Sequence, residues 1–223
     1  MGNVSLVGIT KPSASTGCNT AAELIAYAAR VSNPANQANM QTAPRLIKYL
    51  LDHKHFSPFE MVSVTIEIQT TRDISRQILR HRSFSFQEFS QRYAEATSFI
   101  NNREARLQDK KNRQNSIETD DRFLQEEWCM KQTEVADYAA NIYKWALAKG
   151  IAKEQARAVL PEGLTETTLY MSGTLRSWIH YIDLRTDVGT QKEHRIIAEQ
   201  CKDIVLHHFP MLEDYWNEQK EEN

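Results

Sequence analysis

From residue 61 the chain reads Met-Val-Ser-Val-Thr-Ile-Glu-Ile-Gln, with Val62, Val64, Ile66 and Ile68 alternating with Ser63, Thr65, Glu67 and Gln69. A period of two puts apolar side chains on one face, so Met61 to Gln69 predicts a strand buried on one side. Val4 to Ile9, a shorter apolar run, predicts another strand. Ala21 to Val31 is alanine-rich and predicts a helix, broken by Asn33-Pro34-Ala35-Asn36. Pro44 to His53 predicts a second helix, with Pro44 in the first turn, where its missing N–H costs nothing. Thr70 or Thr71 can cap a third, with Asp73 in its first turn. Ile74 and Ile78 share one face of that helix, and Arg72, Arg76 and Arg80 share another. The arginine stripe reads as a solvated face at Arg72, whereas Arg80 opens a denser cluster.

Further on, Asn101 to Asp121 is polar with little periodicity and predicts a mobile loop. Phe123 to Lys149 predicts a long helix whose buried stripe is Trp128, Val135, Tyr138, Ile142 and Ala146, ended by Gly150. Lys153 to Leu160 predicts a short helix closed by Pro161. Thr165 to Ser172 predicts a strand, and Leu175 to Leu184 and Thr190 to Phe209 predict two more helices. No repeat, linker or low-complexity tract interrupts the 223 residues, which points to one α+β domain over 1–223.

Charge narrows the class. Lys and Arg number 27 against 29 Asp and Glu, a net charge of -2, which argues against nucleic acid as a partner. The chain has no apolar run long enough for a membrane span and no cationic segment leading into an apolar core, so neither a membrane partner nor secretion is expected. Met1-Gly2 is followed by Leu6 where myristoylation wants Ser or Thr. Cys18, Cys129 and Cys201 form no pairing framework and suit a reducing cytoplasm, with Cys129 and Cys201 expected in the core. No Gly-x-Gly occurs, which removes the dinucleotide fingerprint and the phosphate loop. His53-Lys54-His55 can set two imidazoles on one side of a strand, but no third ligand is in view and no metal is expected.

The densest chemistry lies at Arg80-His81-Arg82-Ser83-Phe84-Ser85-Phe86-Gln87-Glu88-Phe89-Ser90, with Arg92 two places on. Arginine meets phosphate with two parallel hydrogen bonds, so this concentration of fixed cations points to an anionic ligand. Phe84, Phe86, Phe89 and Tyr93 interleave with the arginines as in a single-strand nucleic-acid binder, but the acidic balance and Glu88 inside the patch oppose that reading. Ser90 has no His/Asp pair at recognisable spacing and reads as a hydrogen-bond donor rather than a nucleophile.

The same stretch resembles the Arg-His-Arg-x7-Ser signature of the flavin-dependent thymidylate synthases. Ala29-Arg30-Val31-Ser32, His55-Phe56-Ser57-Pro58-Phe59-Glu60, Ala156-Arg157-Ala158-Val159-Leu160-Pro161, Arg176-Ser177 and Asp183-Leu184-Arg185 resemble further elements of that family, in the expected order. The resemblance implies an antiparallel sheet flanked by helices, FAD as bound cofactor, NADPH as reductant and 5,10-methylenetetrahydrofolate as carbon donor in the conversion of dUMP to dTMP. It also implies a homotetramer with active sites shared between subunits. For FAD it implies contacts from Ser32, Ser57, Glu60, Arg80, His81, Arg82, Ser83, Glu88, Thr174, Arg176 and His180. For dUMP it implies Gln77, Ile78, Leu79, Arg80, Glu88, Phe89, Ser90, Gln91, Arg92, Arg157 and Arg185, with His55 nearby. Gly189 and Met61 stand where many relatives carry histidine.

The physical reading agrees. Ser90, Arg92 and Arg157 can meet a phosphate through charge-assisted bonds, and Gln77 or an arginine can meet the edge of a uracil ring. None of the cysteines lies in the Pro-Cys-His context of a thiolate-dependent thymidylate synthase. Activation of uracil C5 without a thiol requires charge stabilisation at N3 and O2. The resemblance gives that role to Arg185.

Overall fold

The computed structural model describes residues 2–96 and 102–221. Four strands, β1 (Asn3–Ile9), β2 (Ser63–Thr71), β3 (Ser85–Glu88) and β6 (Glu166–Thr174), form an antiparallel sheet in the order β1-β2-β6-β3. A separate hairpin pairs β4 (Arg106–Gln108) with β5 (Ser116–Glu118). The alternation in β2 holds: Val64, Ile66 and Ile68 are buried. β2 begins after Met61, because Ser57–Met61 closes into a 3-10 turn that leaves Met61 exposed.

The helices are α1 (Ala21–Ala29), α2 (Ala43–Asp52), α3 (Arg72–Ile78), α4 (Arg122–Ala148), α5 (Lys153–Ala156), α6 (Leu175–Arg185), α7 (Lys192–His208) and α8 (Leu212–Glu221). Thr20 and Glu23 form a capping box that starts α1, and Val31, expected in this helix, lies beyond its end and is exposed. Side chains of α1, α2, α3, α6, α7 and α8 meet the apolar face of the sheet in one core, with Phe59, Ile66, Leu169, Trp178, Ile197 and Phe209 fully buried. The polar helix α8, which the sequence pattern did not reveal, is held by Asp183, whose carboxylate accepts Trp216 Nε1 at 2.6 Å and Tyr215 OH at 3.0 Å.

Several expectations are corrected. Arg72 is buried, not solvated, because α3 starts directly at the end of β2 and tucks its first residue toward Glu88. Of the loop expected over Asn101 to Asp121, Asn101 lies outside the described residues and 102–121 hold the β4–β5 hairpin. Asp109 shapes its turn by accepting the Lys111 and Asn112 N–H groups and Asn115 Nδ2. Two glutamines of α4 clamp its stem. Gln125 accepts from the N–H of Ala105 and donates to its C=O, and Gln132 does the same for Arg103.

The inward stripe of α4 is Gln132, Ala139, Tyr143 and Ala146, so only Ala146 was placed correctly. Trp128, Val135 and Tyr138 are 44%, 53% and 71% exposed. Periodicity finds an apolar stripe but not what covers it. Cys129 is exposed on the same helix, whereas Cys201 is fully buried. His53 and His55 lie not on a strand but in a turn after α2, where Lys54 takes φ +56° and the His53 ring stacks on Tyr49 at 4.0 Å.

Candidate active site

The two central strands run into helices without a connecting loop. β2 ends at Thr71 and α3 starts at Arg72; β6 ends at Thr174 and α6 starts at Leu175. Thr174 caps α6 by accepting the Ser177 N–H at 3.3 Å. α3 therefore carries Gln77 and Ile78 out from the sheet, with Leu79 and Arg80 following, and α6 carries Arg176, His180 and Arg185. Between α3 and β3 the chain turns through His81, Arg82 and Ser83. Phe84 anchors this turn in the core, edge-on to Trp178 at 4.9 Å. The Phe84 ring lies against Gly173, where a Cβ would come within 2.4 Å of it. Arg80, Arg82 and Ser83 are thrown outward and exposed. Among the described residues, neither Arg80 nor Arg82 meets a carboxylate. Such an uncompensated pair of guanidinium groups fits the diphosphate of a flavin dinucleotide.

His81 sits half-buried between the two helices and accepts a 2.9 Å hydrogen bond from Arg185 Nε on its Nε2. Burial, then the positive charges of Arg185 and Arg80, lower its pKa to about 4. The imidazole is thus neutral at pH 7 and offers Arg185 a lone pair.

Glu88, at the end of β3, is largely enclosed. Its Oε1 accepts Ser75 Oγ at 2.7 Å and Thr167 Oγ1 at 2.9 Å, and Arg72 Nη1 lies 3.7 Å away. Its nearest cation is therefore Arg72 rather than an arginine of the 80–92 cluster. Arg72 Nη1 and Gln91 Nε2 are buried donors with no hydrogen-bond partner among the described residues. Orphaned donors of this kind suit a site that receives a polar ligand.

Arg92 and Arg157 converge on Glu154: Arg92 Nε meets the carboxylate at 3.1 Å, and Arg157 Nε donates to the backbone carbonyl at 3.3 Å. Ser90 Oγ accepts the Arg92 N–H at 3.4 Å, and Phe89 beside it is 37% exposed. Glu60 and Arg176 form an ion pair, Ser177 Oγ donates to Ser83 O, and His180 packs edge-on to Phe56 at 4.8 Å beside Ser57. Ser32 borders a separate hollow of about 490 Å³ lined by Arg30, Asn33, Thr42, Arg45 and Tyr49. The His55 ring meets the edge of Tyr49 at 6.4 Å and 75° and lies 6.1 Å from the His53 ring. No hydrogen bond joins Ser32 or His55 to the Arg-His-Arg turn.

Three residues outside every local motif reach the same place. Gln191 Oε1 accepts from Gln77 Nε2 at 2.7 Å, His194 Nδ1 lies 3.3 Å from Gln77 Oε1, and Tyr181 OH lies 3.1 Å from His194 Nε2. Gln191 and His194 follow Gln77 by more than a hundred positions, so no spacing rule could have found them. A cleft of about 660 Å³ opens beside Gln191, between the hairpin and the start of α7.

Sheet order and helix placement define an α+β fold that is shared with a solved pyrimidine-nucleotide methylase. The crystal structure of a UMP/dUMP methylase PolB from Streptomyces cacaoi bound with 5-Br dUMP superposes with a TM-score of 0.78 at 28% identity, covering 93% of this chain and 91% of that one. Residues 15–211 match the family described as thymidylate synthase complementing protein. The chain is 52% identical over 210 residues to a probable flavin-dependent thymidylate synthase of Paramecium bursaria Chlorella virus 1, covering 94% of this chain and 96% of the relative. It is 52% identical over 189 residues to the flavin-dependent thymidylate synthase of Synechocystis, covering 85% and 86%. The chain belongs to the flavin-dependent thymidylate synthase family.

Proposed function

We propose that this chain, as one domain over 1–223, is an enzyme that methylates dUMP to dTMP, with 5,10-methylenetetrahydrofolate as carbon donor and NADPH as reductant. The carrying observation is the Arg185–His81 pair, which aims a fixed cation beside a turn of uncompensated arginines. Arg185 stabilises negative charge at N3 and O2 of the pyrimidine and so makes C5 a nucleophile. No thiol is needed for this: burial pushes the Cys201 thiol up, Cys129 lies on the outer side of α4, and Cys18 is buried ahead of α1 with its thiol on the Thr16 carbonyl. Ser90, Arg92 and Arg157 bind the phosphate, Glu154 holding the two arginines together. Gln77, Arg80, Glu88 and Gln91 complete the nucleotide site against Ile78, Leu79 and Phe89.

Arg80, His81, Arg82 and Ser83 hold FAD together with Glu60 and Arg176, and Ser32, Ser57, Thr174 and His180 border it. When bound and reduced, FAD supplies the hydride that completes the methyl group.

The exposed Trp128, Val135, Tyr138 and Trp145 on α4 support a homotetramer with sites shared between subunits. Among the described residues no helix is long and apolar enough to cross a membrane, and our reading is a cytoplasmic enzyme.

The test is an assay of NADPH oxidation and dTMP formation with methylenetetrahydrofolate. Turnover that requires dUMP and a yellow, flavin-bearing preparation are expected. A colourless protein that forms no dTMP with added FAD would overturn the reading.

A further inference from the structure

One chain of hydrogen bonds leads from the half-buried Arg106–Glu193 ion pair to the buried side of Gln77, and each link has a single allowed direction. It starts at Glu193, whose Oε1 accepts Arg106 Nη2 at 2.5 Å and whose Oε2 accepts Gln191 Nε2 at 2.9 Å. Burial opposes ionisation of Glu193, but the bonds from Arg106 and Gln191 outweigh it and hold the carboxyl below its ordinary range. A carboxylate can only accept. The Gln191 amide must therefore turn its NH2 toward Glu193 and its oxygen toward Gln77, where it accepts Gln77 Nε2 at 2.7 Å. That leaves Gln77 Oε1 facing His194 Nδ1 at 3.3 Å, so Nδ1 carries the ring proton. The other ring nitrogen is then a lone pair, and it takes the Tyr181 hydroxyl hydrogen at 3.1 Å.

Both end groups are locked in the core: His194 is 0% and Tyr181 is 1% exposed. Burial, with Arg185 and His81 adding to it, lowers the His194 pKa to about 3, so the ring is neutral. Reversing the Gln77 amide would set two oxygens face to face at Gln191 and two N–H groups face to face at His194. Two favourable contacts would become two repulsive ones. The amide keeps one N–H and one oxygen lone pair for a ligand.

Resting on the dUMP reading above, we propose that His194 and Tyr181 are positioning residues of the nucleotide site: together with the Glu193–Gln191 end of the chain they fix which end of the Gln77 amide donates to dUMP and which accepts. Neither touches the nucleotide; both act through Gln77.

Four measurements test this. In protein carrying 15N-labelled histidine and no nucleotide, the His194 ring should show one tautomer with the proton on Nδ1, and Glu193→Gln, which frees the Gln191 amide to turn, should give a mixture. Tyr181→Phe should raise the dUMP KM about tenfold, equivalent to about 1.4 kcal/mol, with a much smaller change in kcat. His194→Asn, whose side-chain NH2 can replace Nδ1–H, should bind dUMP better than His194→Leu. In a Gln77→Ala background, Tyr181→Phe should add little. An unchanged dUMP KM in Tyr181→Phe, or effects of the two substitutions that simply add, would overturn the proposal. The tautomer measurement needs no substrate, so it separates failure of this chain from failure of the dUMP reading.

Discussion

The Nε of Arg185 reaches the Nε2 of His81 across 2.9 Å and ties the last residue of α6 to the centre of the Arg-His-Arg turn. A neutral histidine costs the guanidinium none of its charge, whereas a carboxylate in its place would neutralise it. Arg185 is thereby positioned and still free to act on a neighbouring anion. Arg185→Ala is expected to cut dTMP formation by at least about 10²-fold at saturating dUMP, as for removal of one preorganised charge-stabilising donor. NADPH should still reduce the bound flavin, as stopped-flow absorbance would show.

Acid should weaken the fold through two histidines. His81 and His194 are lowered from 6.5 to about 4 and about 3. In the unfolded chain both gain a proton as pH falls through 6.5; in the folded chain they resist until far lower. Over that interval the unfolded state binds more protons, so stability rises with pH and is lost on acidification. Urea midpoints should fall from pH 6.5 to 4, and His194→Asn should flatten that fall relative to the parent.

Arg82 is exposed and meets no carboxylate among the described residues. Arg82→Ala should leave the thermal melt within about 0.5 kcal/mol, as is usual for a surface change. Flavin affinity should drop, read by absorbance of the purified protein and by titration with FAD. Full flavin occupancy with unchanged affinity would remove Arg82 from the cofactor site.

Gly173 leaves the space that Phe84 fills. A Cβ there would stand 2.4 Å from the Phe84 ring, so the ring must move. Gly173→Ala should destabilise by about 1–3 kcal/mol in chemical denaturation. Because Phe84 anchors the turn, flavin affinity should fall with it, although Gly173 carries no side chain to touch a ligand.

The outward face of α4 should be an interface. Replacing Tyr138 and Trp145 together with glutamate puts charge where contact is expected and disturbs none of the core, since they are 71% and 57% exposed. Sedimentation should show smaller species than the parent protein, with lower turnover. An unchanged oligomer would place the contact elsewhere.

Much of the frame was legible because it is local. The alternation of Val62 to Ile68 identified a central strand, and Gly150, at φ +78°, ends α4 as read. The motif at 80–92 stood out by its density of cations, and its resemblance to a family signature made it specific. What it hid was its division of labour: Phe84 is a core anchor, β3 is an edge strand, and Glu88 pairs with Arg72 through tertiary geometry. The solvated reading of Arg72 failed because helix periodicity cannot see the strand packed over the first turn. The stripe of α4 failed because apolar spacing is the same whether its own chain or another covers it. Tyr181, His194 and Gln191 were invisible because their links to Gln77 exist only once α6, α7 and α3 are side by side.

The two loopless junctions, Thr71 to Arg72 and Thr174 to Leu175, bear on how this chain can change over evolutionary time. One added residue at either would rotate everything after it by about 100° around the helix axis. Gln77 or Arg185 would then face another direction, with every side chain intact. Length is therefore constrained at these two points more tightly than composition. The turn from Asp109 to Asn115, at the far end of the hairpin, carries no such rotation into the site, so insertions should accumulate there instead.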